Sequence, residues 1–74
     1  MRRVPKRLAH EPQAVTYLRE QAGLNKTRLA EQCSVSLSLI SEIERGTRSA
    51  SESLMTRMAE VFECPPVLLK RRAD

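Results

Sequence analysis

The sequence predicts an all-α fold, a compact bundle of five short helices, and three observations lead there. Apolar residues recur every three or four positions in short runs, without the strict alternation that half-buried strands show. The palette is aliphatic: 41% of the 74 residues are hydrophobic but only 3% aromatic, so the β-branched and aromatic runs favoured by strands are missing. Residues that cap helices bracket the runs, with Asn25, Ser36 and Ser51 at the starts and Gly23 and Gly46 at the ends. A chain this short is one domain at most and buries only about 60% of the surface it exposes when unfolded, so its core must be economical.

Residues 1–11 show no apolar period and read as a basic N-terminal arm. Pro12 can open a helix, because its missing donor would have no partner in a first turn anyway. Ala14, Val15, Leu18 and Ala22 give a first helix over 12–22, closed by Gly23. Asn25 caps a second helix of about eight residues, "KTRLAEQC", with Leu29, Ala30 and Cys33 on one face. After a turn at Ser34 and Val35, Ser36 caps a third helix over 37–45, where Ile40 and Ile43 lie one turn apart before Gly46 stops it. The polar "TRSAS" is a connection. Ser51 then leads into a fourth helix, about 52–63, carrying Leu54, Met55, Met58, Ala59 and Phe62. The prolines of "CPP" interrupt the pattern, and Val67, Leu68 and Leu69 make a last helical turn that lids the core. The folded domain is thus expected over 12–70, followed by a basic C-terminal tail over 71–74.

Charge is distributed unevenly. Arg2, Arg3, Lys6 and Arg7 crowd the first seven residues, and Lys70, Arg71 and Arg72 stand against only Asp74 in the last five. Residues 8–69 hold six basic and eight acidic side chains, so the whole excess of the net charge of +4 lies in the two tails. Cys33 and Cys64 have no second Cys or His at metal-ligand spacing, which argues against a zinc site. Sequence alone leaves a bridge between them open, but no signal peptide is present, so free thiols in a reducing cytoplasm are the default. Cys33 suits a small apolar core position. No apolar run approaches the 18 or so residues of a membrane span. One histidine, His10, with no triad, no glycine-rich phosphate loop and no paired carboxylates on a helix face, argues against an enzyme and leaves His10 a bystander. No cofactor, metal or small-molecule ligand is expected.

The stretch "YLREQAGLNKTRLAEQCSVSLSLISEIERGTRSAS", followed by "LMTRMAEVFECPPVLL", resembles the lambda-repressor-like helix-turn-helix regulators, also called the Cro or XRE type. The likeness covers residues 15–69 and rests on the joint register of its features. These are an Arg in the first helix, Gly-Leu before the second, Leu-Ala within it, Val-Ser into the third, Ile-Ser-x-Ile-Glu-x-Gly across it, and a closing aliphatic helix. The resemblance implies a helix-turn-helix formed by the second and third helices, with the third in the major groove and the second across the backbone.

It also implies roles. Ser36, Leu37, Ser38, Ser41 and Glu42 occupy the base-reading positions: serine can bond several bases, Leu37 can pack on a thymine methyl, and Glu42 can accept from a cytosine amino group. Lys26, Arg28, Arg45, Thr47 and Arg48 occupy phosphate-binding positions, with Arg48 the preferred ligand near the end of the third helix, and the basic tails are natural additions to them. Arg19 and Glu44 correspond to a partly buried structural ion pair. Three positions depart from the family's habit. Ser34 stands where the turn usually has glycine, which implies an L-residue in the left-handed region at about 1–2 kcal/mol. Glu42 replaces a basic or amide residue, and Ala50 replaces a proline, a change expected to affect little but loop rigidity.

The resemblance thus implies a cytoplasmic transcription regulator binding double-stranded DNA, such as a small Cro-like repressor reading a palindromic operator as a homodimer, at least on DNA. The alternative is an antitoxin or protein-interaction module that keeps the fold. The chain stops soon after its last helix, so no separate effector or peptidase domain is expected. The third helix, though, carries no lysine or arginine from Leu37 to Glu44, so attraction to a polyanion has to come from around it.

Overall fold

The computed structural model describes residues 8–71. Within them the chain forms four α-helices, α1 (Pro12–Gln21), α2 (Lys26–Cys33), α3 (Leu37–Arg45) and α4 (Glu52–Phe62), then a single 3-10 turn, Pro66–Leu68. The expected fifth helix is therefore corrected to a 3-10 turn. Two adjacent prolines remove consecutive donors, and the turn after them closes by three-residue bonds, Leu68 N to Pro65 O at 3.1 Å and Leu69 N to Pro66 O at 2.9 Å. The lid is narrower than the run Val67-Leu68-Leu69 suggests. Leu69 is fully buried, but Val67 and Leu68 are exposed.

Helix starts obey the capping chemistry of the sequence. The side chains of Asn25, Ser36 and Ser51 accept from the backbone N–H of Arg28, Leu39 and Leu54 at 2.8, 3.0 and 3.1 Å. Helix ends share one device, a left-handed residue followed by an N–H that reaches back five positions. The bonds are Leu24 N to Arg19 O, Val35 N to Ala30 O, Thr47 N to Glu42 O and Cys64 N to Ala59 O, all 3.0–3.1 Å. Gly23 and Gly46 take the left-handed position in two of them, and Ser34 (φ 59°) and Glu63 (φ 57°) take it without glycine's freedom in the others. At Gly46 it is the left-handed φ of 84° that calls for glycine, since a Cβ there would meet Pro12 Cγ at 3.4 Å and Leu8 Cδ1 at 3.8 Å, which are ordinary packing distances.

The core is aliphatic and sulfur-rich. Leu29 and Cys33 from α2, Ile40 and Ile43 from α3, Met55 and Met58 from α4, Val15 from α1 and Leu69 meet with essentially no exposure. Phe62 packs at its margin, and Ala22 is exposed, just beyond α1. Both cysteines are free thiols, Cys33 buried and Cys64 half-buried.

The two ends of the described chain close on each other. Glu11 N donates to Leu69 O at 2.9 Å and Arg71 N to Ala9 O at 3.1 Å, around an isolated antiparallel bridge between His10 and Lys70. Residues 8–11, the last part of the expected arm, are thus packed on the bundle, whereas the arginines and lysine at 2–7 and Arg72 lie outside the described residues. His10 is no bystander: it is fully buried. Its Nε2 lies 2.8 Å from Ile43 O and its Nδ1 accepts from Ala50 N at 3.1 Å, which fixes the ring proton on Nε2.

Candidate nucleic-acid interface

α3 is two-sided because its residues advance about 100° each. Ile40 and Ile43 point into the core and Glu44 is turned inward beside them, so Leu37, Ser38, Ser41, Glu42 and Arg45 share the outer side. Leu37 is 46% exposed, a large apolar side chain left partly in water. Ser38 is exposed, and Ser41 and Glu42 are half-buried. Ser36, at the N-cap, is exposed; its Oγ accepts from Leu39 N, which leaves its hydroxyl proton and one lone pair to offer.

The cations stand at the two ends of the motif. Lys26 begins α2, half-buried, where free amides and the helix dipole add to its charge. Arg28, one turn on, is exposed and lies 3.5 Å from Glu31 in an exposed pair. Arg45 ends α3 exposed. Thr47 and Arg48 both connect back to Glu42: Thr47 N donates to Glu42 O at 3.0 Å, and Arg48 Nη1 lies 3.4 Å from Glu42 Oε1. The one carboxylate on the outer side of α3 thus faces an arginine.

What holds this surface lies behind it. Arg19 grips Glu44 with two donors, Nε to Oε2 at 2.7 Å and Nη2 to Oε1 at 3.2 Å, and its Nη1 donates to Leu24 O at 2.8 Å. The side chains are 11% and 5% exposed. The hydrogen bond to Glu44 raises the Arg19 pKa above its usual value and outweighs the opposing effect of burial. Thr16 Oγ1 adds a third donor to Glu44, at 2.9 Å. Arg57 of α4 donates to Cys33 O, the last carbonyl of α2, at 3.0 Å. Sequence reasoning missed Thr16, Arg57 and His10. Thr16 had a signal, one turn before Arg19 on the same helix, whereas Arg57 and His10 reach partners distant in sequence that no local pattern marks.

Two short helices at this turn, the second with a free outer side and cations at its margins, are the geometry of a groove-reading motif. Residues 15–69 match the Helix-turn-helix family of the Cro/C1 type. The chain belongs to that family. Membership places it among DNA-binding transcription regulators rather than enzymes.

Solved structures agree. The restriction-modification controller protein C.AhdI from Aeromonas hydrophila is 26% identical, with a TM-score of 0.73 over 77% of this chain and 86% of that one. The clp gene regulator ClgR from C. glutamicum is 27% identical, with a TM-score of 0.70 over 76% and 73%. A hypothetical transcription factor, NHTF, from Neisseria shares the fold at 20% identity and a TM-score of 0.70, over 89% and 84%. No curated protein matches this helix-turn-helix chain in sequence. No helix among its described residues is long and apolar enough to cross a membrane, and no group of three or more potential metal ligands occurs among them.

Proposed function

We propose that this helix-turn-helix chain is a cytoplasmic, sequence-specific regulator of transcription, a small Cro-like repressor that reads a palindromic operator by laying α3 in the major groove. The observation that carries the reading is the outer side of α3, where Leu37, Ser38 and Ser41 are held clear of the core on a helix fixed from behind. Serines can bond several bases and Leu37 can meet a thymine methyl. Lys26, Arg28, Arg45, Thr47 and Arg48 bind phosphates on either side, so attraction comes from the margins and selection from the middle. Leu8 lies beside Gly46, and the basic residues at 2–7, outside the described residues, are further candidates for phosphate.

One short helix reads only a few base pairs, so a homodimer with half-sites about one helical turn apart is the working form. α4, its flanking loop and the segment 65–69, where Val67 and Leu68 are exposed, are the candidate contact surface. If the dimer neutralises about 6–10 phosphates, raising salt from 50 to 200 mM weakens binding by roughly 10³–10⁵. Selection of bound duplexes from random DNA tests the reading: wild type yields a two-fold symmetric site, and Ser38→Ala or Ser41→Ala relaxes it at defined positions. A salt-independent binding curve would overturn it in favour of a protein-interaction module.

A further inference from the structure

We propose that Glu42 and Arg48 form an exchange pair that couples base reading to phosphate binding. Glu42 holds Arg48 when the groove offers no cytosine amino group, and releases it to the DNA backbone when one is present. The inference rests on the DNA-binding reading of α3.

Three observations carry it. Arg48 Nη1 lies 3.4 Å from Glu42 Oε1, so the carboxylate on the outer side of α3 and a cation at its margin neutralise each other. The Arg48 and Glu42 side chains are 60% and 38% exposed, which leaves both able to change partner. The loop carrying Arg48 is tied to Glu42 itself, because Thr47 N and Thr47 Oγ1 both donate to Glu42 O, at 3.0 and 3.4 Å. The backbone origins of the two side chains are therefore fixed, and exchange needs only side-chain rotation.

The energetics favour a switch over a permanent bond. A pair this exposed biases an equilibrium by up to about fivefold, weak enough to break for a better partner. Both partners have one on the right DNA: glutamate accepts from a cytosine amino group, and arginine gains a charge-assisted, often bidentate bond to phosphate. On DNA without that cytosine, freeing Arg48 would leave an unpaired carboxylate against a polyanion. The pair then stays closed, and non-specific binding is deprived of a cation. Glu42 is in this way a specificity-determining residue through what it withholds as well as what it reads.

The test compares the operator duplex recovered by selection with a random-sequence duplex of equal length, for wild type, Glu42→Gln and Arg48→Gln, by fluorescence anisotropy over a salt series. Unchanged melting temperatures check folding, as both side chains are on the surface. The wild-type log–log salt slope is expected to be steeper on operator than on random DNA. Glu42→Gln steepens the slope on random DNA by up to about 0.9 per subunit, raises affinity there several-fold, and loses the cytosine preference at one position per half-site. Arg48→Gln flattens the slope on operator more than on random DNA. The proposal is overturned if Glu42→Gln strengthens binding to both duplexes by the same factor, if it selects the wild-type site unchanged, or if Arg48→Gln flattens both slopes equally. In each of those cases the DNA-binding reading survives. Wild type that binds no duplex in a salt-dependent way removes that reading and this inference with it.

Discussion

Replacing Ala50 with proline should destabilise this protein, although proline is the residue that regulators resembling it often carry there. In a loop, proline commonly stabilises by about 0.4–1 kcal/mol, because it restricts the unfolded chain. Here Ala50 is 3% exposed and its N–H goes to Nδ1 of His10, which is wholly buried and occupied at Nε2 by Ile43 O. Proline has no N–H to give. A buried acceptor left without its donor costs about 1–3 kcal/mol, which outweighs the gain from a stiffer loop. The net loss of about 1–2 kcal/mol lowers the melting temperature by roughly 5–15 °C in a domain of this size. Thermal unfolding followed by circular dichroism on wild type, Ala50→Pro, His10→Leu and the double variant checks it. In the His10→Leu background no acceptor remains and Ala50 N–H is itself the orphan, so adding proline should there stabilise. The coupling between the two sites should reach about 1–3 kcal/mol. An Ala50→Pro variant as stable as wild type, or strictly additive changes, would refute the reasoning.

Other consequences are open to the same assays. Glu44→Ala leaves the Arg19 guanidinium, 11% exposed, without its partner and should lose about 3–5 kcal/mol in urea unfolding, whereas Arg19→Met with Glu44→Leu should lose less; equal losses would contradict a charge left stranded. Ser34→Gly relieves a left-handed L-residue at φ 59° and ψ 41° and should gain about 0.5–1 kcal/mol, with Ser34→Val moving melting the other way. Burial holds the thiols of Cys33 and Cys64 above the ordinary range, so the folded chain keeps protons that the unfolded chain releases. The stability this contributes is fully present at lower pH and is lost as pH rises past about 8.5. A Cys33→Ala/Cys64→Ala variant should therefore show a shallower fall in stability between neutral pH and about pH 9.5, and a parallel fall would exclude the thiols as its cause.

What the sequence made legible was local. The starts of α2, α3 and α4 could be placed because Asn25, Ser36 and Ser51 bond three residues ahead, whereas the left-handed conformation at Ser34 came from the resemblance, whose members usually carry glycine there. The last turn went wrong for a local reason too: an aliphatic run after two prolines has the composition of a helix but too few donors to build one. His10 and Ala50 were misread together. Neither belongs to a periodic pattern, and each makes sense only once the segment before α1 is laid beside the loop after α3. The charge problem posed by α3 was half visible. An acidic outer position could be read from the sequence, but its pairing with Arg48 crosses the end of the helix and a loop, where spacing rules for helix faces no longer apply.

Those non-local contacts share a target. Ile43 O near the end of α3 is held by His10, Glu44 by Arg19 and Thr16, and Cys33 O at the end of α2 by Arg57, so polar groups from outside the motif fix the ends of both its helices. On the proposed reading, an exposed leucine and small hydroxyls meet the groove, and such side chains have little reach with which to correct a misplaced helix. Short side chains demand an accurate backbone, because a serine displaced by an ångström no longer reaches its base edge. Long basic side chains at the margins tolerate such errors. The division of labour across this surface arises from that difference. The proposed reading entrusts selection to residues whose position the fold dictates and attraction to residues that can find phosphates for themselves, which makes the rigidity built behind α3 the structural counterpart of its missing positive charge.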